Sequence, residues 1–144
     1  MTLLWSVLGF VVAVSLLVAV HEYGHFWAAR KLGFKVLRFS VGFGPALWRR
    51  VAGADQTEYV LAALPLGGYV KMAGENPDDP RSGADDEFLS KSKWQRFQIL
   101  IMGPVMNLAL AVILLAVVLM QGAEVPEFLD RPATVGMVEA GSPA

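Results

Sequence analysis

Two long apolar runs frame the chain. Met1 to Val20 carries no charged side chain, and neither does Phe97 to Gly122. Each suffices to cross a hydrocarbon core, which takes roughly 20 apolar residues in helical form. The first helix is expected from about Leu3 to Leu32, with Gly33 as its stop signal, and the second over residues 97–121. A cleavable leader fits the first run poorly. No basic segment precedes it, it is too long, and no small-residue cleavage site stands before His21.

Between the runs the period shortens. Phe39, Val41 and Phe43 alternate with Arg38, Ser40 and Gly42, which is strand spacing. Gly42-Phe43-Gly44-Pro45 breaks that run. Ala46 to Val51 and Thr57 to Leu64 read as further strands around a turn at Ala52 to Asp55, and Tyr69 to Met72 as a short last piece after Pro65-Leu66-Gly67-Gly68. The expected fold class is therefore a membrane protein, mainly α, in which two transmembrane helices flank a small antiparallel β-meander over residues 34–72. The meander could be a structural plug, or its edge strand could hold an extended peptide by main-chain pairing. Ala73 to Ser90 has six acidic residues against Arg81 alone, and a solvated linker over residues 73–96 is expected. The spacing of Asp78, Asp79, Asp85, Asp86 and Glu87 does not match a calcium-binding loop of the EF-hand type.

Charge adds an orientation. Of 12 Lys and Arg residues, 11 lie between Arg30 and Arg96. The positive-inside rule then places the central segment in the cytoplasm and the two ends of the chain outside. Trp5, Trp27 and Trp94 fall near the expected span ends, as in an aromatic belt. The absence of cysteine excludes a disulfide framework, a thiolate zinc site and a thiol nucleophile. Membrane lipid is an expected partner and nucleic acid is not.

The chemistry-bearing stretch is His21-Glu22-Tyr23-Gly24-His25. Two histidines four apart lie on one helix face, about 40° apart around the axis and about 6 Å along it. Both imidazoles can meet one zinc ion, with Glu22 placed as general base. Counting from Arg30 at ~1.5 Å per residue puts His25 roughly 7 Å and His21 roughly 13 Å deep. The blander reading is a histidine pair bonded to a neighbouring helix, but an intramembrane carboxylate beside it has no packing rationale. In the second run, Pro104 is expected to loosen or kink the helix near its cytoplasmic end. Gly103, Asn107 and Ala111 form a small-residue stripe suited to close helix approach. Asn107, counted from Arg96, lies roughly 16 Å deep. It shares either a cavity with His21 or an interhelical bond worth about 1 kcal/mol.

Four ordered pieces together resemble the site-2 proteases, in their bacterial regulator-of-sigma-E protease branch. They are His21 to His25, Arg38 to Gly44, Pro65 to Met72, and Gly103 to Asn107. The resemblance implies an intramembrane zinc metalloprotease with His21 and His25 as metal ligands and Glu22 as catalytic base. It also implies a role in substrate handling for Asn107 and, more loosely, for Gly67 and Gly68. Substrates of that branch are single-span membrane proteins, typically anti-sigma factors, cut in the bacterial inner membrane. The tail from Thr134 to Ala144 is similar to the opening strand of a PDZ domain, which makes residues 122–144 the expected start of an extracytoplasmic domain.

The family's third zinc ligand, an aspartate in a Leu-Asp-Gly motif, has no counterpart here, since Leu129-Asp130 is followed by Arg131. The expectation is an N-terminal portion of the enzyme, holding two ligands of three. Two other classes compete: a membrane carrier or sensor of metal ions, and a non-catalytic membrane adaptor.

Overall fold

In a computed structural model, the described residues are 2–76, 78 and 82–122. The tail from Thr134 to Ala144, expected as the opening strand of a PDZ-like domain, lies outside them. The chain divides into two compact units, Met1–Ala111 and Val112–Ala144. The first holds the hairpin, the core and the candidate site described below. The described part of the second is the last stretch of a helix and the turn after it.

Helix α1 runs Thr2–Lys31, and Gly33 follows it with φ 72°. Arg30 and Lys31 in its last turn complement the negative end of the helix dipole. The hairpin strands are β1, Val36–Ala52, and β2, Thr57–Met72. Helix α2 runs Lys93–Met120 and contains Pro104. It starts four residues before the expected Phe97, because Ser92 and Gln95 form a reciprocal capping box. The Gln95 amide N–H donates to Ser92 Oγ at 3.3 Å, and the Ser92 N–H donates to Gln95 Oε1 at 3.2 Å.

Most apolar residues of both helices' long runs are exposed, including Leu3, Phe10, Leu108 and Val112. By length and composition both helices could cross a membrane. The core helix of a soluble domain would instead bury such residues.

The four expected strands are two long ones that pair antiparallel, each bent where the sequence supplies glycine. Gly42 has φ 90° and Gly67 has φ 138°, conformations that a residue with a Cβ rarely adopts. The bends let the halves of each strand find different neighbours. Arg38 to Val41 pairs with Lys71 to Gly68 on one side and with Glu58 to Leu61 on the other, and Trp48 to Ala52 pairs with Leu61 to Thr57. The first half of β2 therefore sits between the two halves of β1, so the segments do not follow simple meander order. A period-2 pattern cannot report this ordering, because it records the face of a residue and not its neighbour strand.

The buried core lies where α1, the hairpin and α2 meet: Ala28, Ala29, Phe34, Val36, Met72 and Ile99. Removing each larger side chain from water contributes roughly 1.5–3 kcal/mol. Arg30 on α1 pairs with Asp55 in the hairpin turn, which ties the helix end to the sheet. Beyond β2 the expected linker is partly built. The Glu87 carboxylate is buried, with Oε1 accepting from the Ser82 N–H and Oγ, both at 2.8 Å, and Oε2 from the Gly83 N–H at 3.3 Å. A short 3-10 helix, Phe88–Ser90, follows, and the Phe88 N–H donates to Ala73 O at 2.7 Å.

Candidate metal centre

The helical spacing of His21 and His25 brings their rings edge to face, with centroids 4.7 Å apart. Their Nε2 atoms are 3.1 Å apart. A tetrahedral zinc ion with Zn–N bonds of about 2.0–2.1 Å spaces its ligand nitrogens about 3.4 Å apart. The pair therefore fits two adjacent zinc positions with a few tenths of an ångström of ring movement. His25 Nδ1 lies 2.7 Å from the Ile99 carbonyl oxygen, which can only accept, so Nδ1–H donates there and Nε2 is the nitrogen left to face a metal. This is the hydrogen bond that orients a metal-ligating histidine. His21 Nδ1 lies 3.2 Å from Asn107 Nδ2, and Asn107 Oδ1 is buried without a hydrogen-bond partner. Among the described residues there is no group of three His, Cys, Asp or Glu side chains able to hold a metal ion.

Two glycines let the helices approach this closely. A Cβ at Gly103 would stand 2.7 Å from His21 Nε2 and closer still to His25 Nε2. A Cβ at Gly24 would stand 2.6 Å from the Met102 carbonyl oxygen and 2.8 Å from Met106 Cγ. Each helix thus offers the other a bare backbone surface, as small-residue interfaces in membranes do. Pro104 removes the amide that would bond the Leu100 carbonyl, which loosens α2 one residue after Ile99.

Glu22 projects to the hairpin side. A Cβ at Gly68 would stand 2.7 Å from Glu22 Cγ and 2.6 Å from Ser40 O, so the glutamate lies directly over the bare backbone of β2. Gly67 faces elsewhere, with the Phe43 ring occupying the place of its missing side chain. Glu22 and His25 line one cavity of about 240 Å³, walled by Gly68 to Val70 and Met72 of β2, Ile99 and Leu100 of α2, and Glu75.

His21, Glu22, His25, Asn107 and Gly68 are thus brought together, while Gly67 is turned to Phe43. Sequence reading missed Gly24, Ile99 and Glu75. The Gly24 position, one turn before Ala28 on α1, was a legible signal of close packing. The other two carried none. Ile99 acts through its backbone, and Glu75 reaches the cavity because β2 folds back, where its carboxylate accepts from the Met72 N–H at 3.1 Å.

The family model described as "Peptidase family M50" matches residues 9–140. A "Putative zinc metalloprotease" of Vibrio cholerae is 46% identical over 121 residues, covering 83% of this chain and 26% of that protein. A "Regulator of sigma E protease" of Haemophilus influenzae is 46% identical over 123 residues, covering 85% and 28%. "Regulator of sigma-E protease RseP" of Escherichia coli K12 is 47% identical over 116 residues, covering 78% and 25%. The chain spans about a quarter of the length of these relatives.

Proposed function

Because this chain belongs to peptidase family M50, we propose that it carries the His21, Glu22 and His25 portion of an intramembrane zinc metalloprotease. The observation that carries this reading is the convergence of two Nε2 atoms at 3.1 Å beside a carboxylate that shares a cavity with one of the rings. Both imidazoles suit zinc, and the His25–Ile99 bond holds one of them in the ligating tautomer. A catalytic zinc site takes three protein ligands. The third is expected from a carboxylate elsewhere in the protein.

Zinc, when bound, acts as a Lewis acid that polarises the scissile carbonyl and acidifies a water. Glu22 accepts the proton of the attacking water and delivers it to the leaving amine. The bare backbone at Gly68 leaves the Glu22 side chain room to do so. Substrate helices hide their peptide carbonyls in i→i−4 bonds and must unwind first. The β2 segment along the cavity is suited to pair with the unwound stretch. The arrangement favours a membrane-associated β region between α1 and α2, on the cytoplasmic side of a bacterial inner membrane, where the basic residues collect. Two relatives are named regulators of sigma E. A single-span membrane protein of anti-sigma-factor type is the proposed substrate class.

Glu22→Gln in the intact protein tests the reading. Zinc content should stay at the wild-type level while cleavage of a membrane substrate falls by at least about 100-fold. Unchanged cleavage would remove Glu22 as the base, and zinc content untouched by His21→Ala would remove the metal centre.

A further inference from the structure

Glu75 lines the same cavity as Glu22 and His25 and has no part in the mechanism above. It reaches that wall from a tight turn. Gly74 has φ 63°, and a Cβ there would stand 2.9 Å from Glu87 Cβ, so the turn packs on the segment that the buried Glu87 organises. The Ala73 N–H donates to Lys35 O at 2.9 Å, towards β1. The Met72 N–H is turned the other way and donates to Glu75 Oε2 at 3.1 Å. Gly68 to Met72 pairs with β1 along one side only. The half-buried Glu75 carboxylate therefore stands at the outer edge of β2, beside the main chain proposed to hold substrate.

The charge of this cavity is one-sided. Among the described residues its walls hold two carboxylates and one imidazole, with no Lys or Arg. None of the ion pairs among the described residues involves Glu75. Glu22 is committed to the attacking water, so Glu75 is the carboxylate left to meet a substrate side chain. The Met72 bond holds it in place beforehand, which lowers the ordering cost of such a contact. The cavity also lies near the helix ends where basic residues collect, with Arg30 and Lys31 ending α1 and Lys93 and Arg96 opening α2. A single-span protein aligned with these helices brings its own cytoplasmic boundary, which carries the same excess of Lys and Arg. We propose that Glu75 is a specificity-determining residue that selects substrates with Lys or Arg on the cytoplasmic side of the scissile bond. This rests on the protease reading above. A basic side chain gains an ion pair with Glu75, whereas an acidic one meets a like charge in a cavity that offers it no cation.

The test uses the intact protein and a single-span reporter that it cleaves. Lys, Gln or Glu is placed at each reporter position flanking the scissile bond in turn, and kcat/KM is measured. On the cytoplasmic side, one position should favour Lys over Glu by about 10-fold or more. Glu75→Gln keeps an acceptor for the Met72 N–H and removes the charge. It should bring Lys and Glu reporters within a few-fold of each other, with cleavage of the Gln reporter near the wild-type rate. A role in holding the turn alone would slow all three reporters alike or none. Absence of a Lys preference on that side in wild type overturns the proposal, and so does its persistence in Glu75→Gln. A measurement without any protein variant decides the matter if Glu75→Gln does not fold. A photoreactive diazirine analogue of lysine at the preferred reporter position should crosslink to the Met72 to Glu75 segment, and crosslinks confined to other segments overturn the proposal. If Glu22→Gln cleaves the reporter like wild type, it is the protease reading that falls. If cleavage needs Glu22 and ignores the charge of the reporter, Glu75 alone loses its role.

Discussion

Gly103 of α2 faces His21 of α1 so closely that a Cβ on the glycine would stand 2.7 Å from the His21 Nε2. The atom proposed to bind metal and the bare backbone of the neighbouring helix are in contact. The histidine pair is therefore shaped by α2 as much as by its own helix.

Gly103→Ala should displace both rings. Overpacking of this kind costs about 1–3 kcal/mol. The imidazoles are the groups that must give way, because the close Gly24–Met102 approach leaves the two helix backbones little room to shift. Zinc content per protein, measured by atomic emission on purified material, should fall well below that of wild type. Full zinc occupancy would show that the helices separate without disturbing the rings.

Gly68→Ala should act on catalysis and spare the metal. The atoms nearest the added methyl are Ser40 O and Glu22 Cγ, both under 3 Å, followed by Glu22 Cδ. Since a 1 Å misplacement of a reacting group costs on the order of 100-fold, kcat should drop by that order with zinc content unchanged. A parallel loss of zinc would mean that the hairpin supports the ligands as well as the base.

Glu87→Ala should loosen the segment between β2 and α2. The substitution strips the Ser82 and Gly83 donors of a buried carboxylate, worth about 1–3 kcal/mol. Limited proteolysis should cut near Ser82 and Gly83 at a higher rate than in wild type, with zinc content intact. Equal cutting rates would place the anchor of this segment elsewhere, for example at the Phe88–Ala73 bond.

Much of the site was legible because helical geometry is so regular. Residues 21 and 25 had to share a face, and α1, expected from Leu3 to Leu32, runs Thr2–Lys31. Rough depths of 13 and 16 Å, counted at ~1.5 Å per residue, put His21 and Asn107 at similar levels, and their side chains stand 3.2 Å apart. What stayed hidden depends on the chain folding back on itself. Glycines announced bends at Gly42 and Gly67, but not which halves of β1 and β2 would lie side by side. The acidic composition of residues 73–90 suggested solvent, whereas Glu87 is buried by partners from Ser82 and Gly83. Composition averages over such a segment, and one satisfied carboxylate inside it leaves no trace in the average.

The bond from His25 to the Ile99 carbonyl has a consequence for mutational scans. Every amino acid carries that oxygen, so no substitution at position 99 deletes it. A scan would find that Ile99, 1% exposed, tolerates only residues of similar bulk, and would score it as packing. Replacing the peptide bond after Ile99 with an ester would weaken the acceptor without changing a side chain. That backbone edit would reveal a contribution to the histidine pair that side-chain genetics cannot reach.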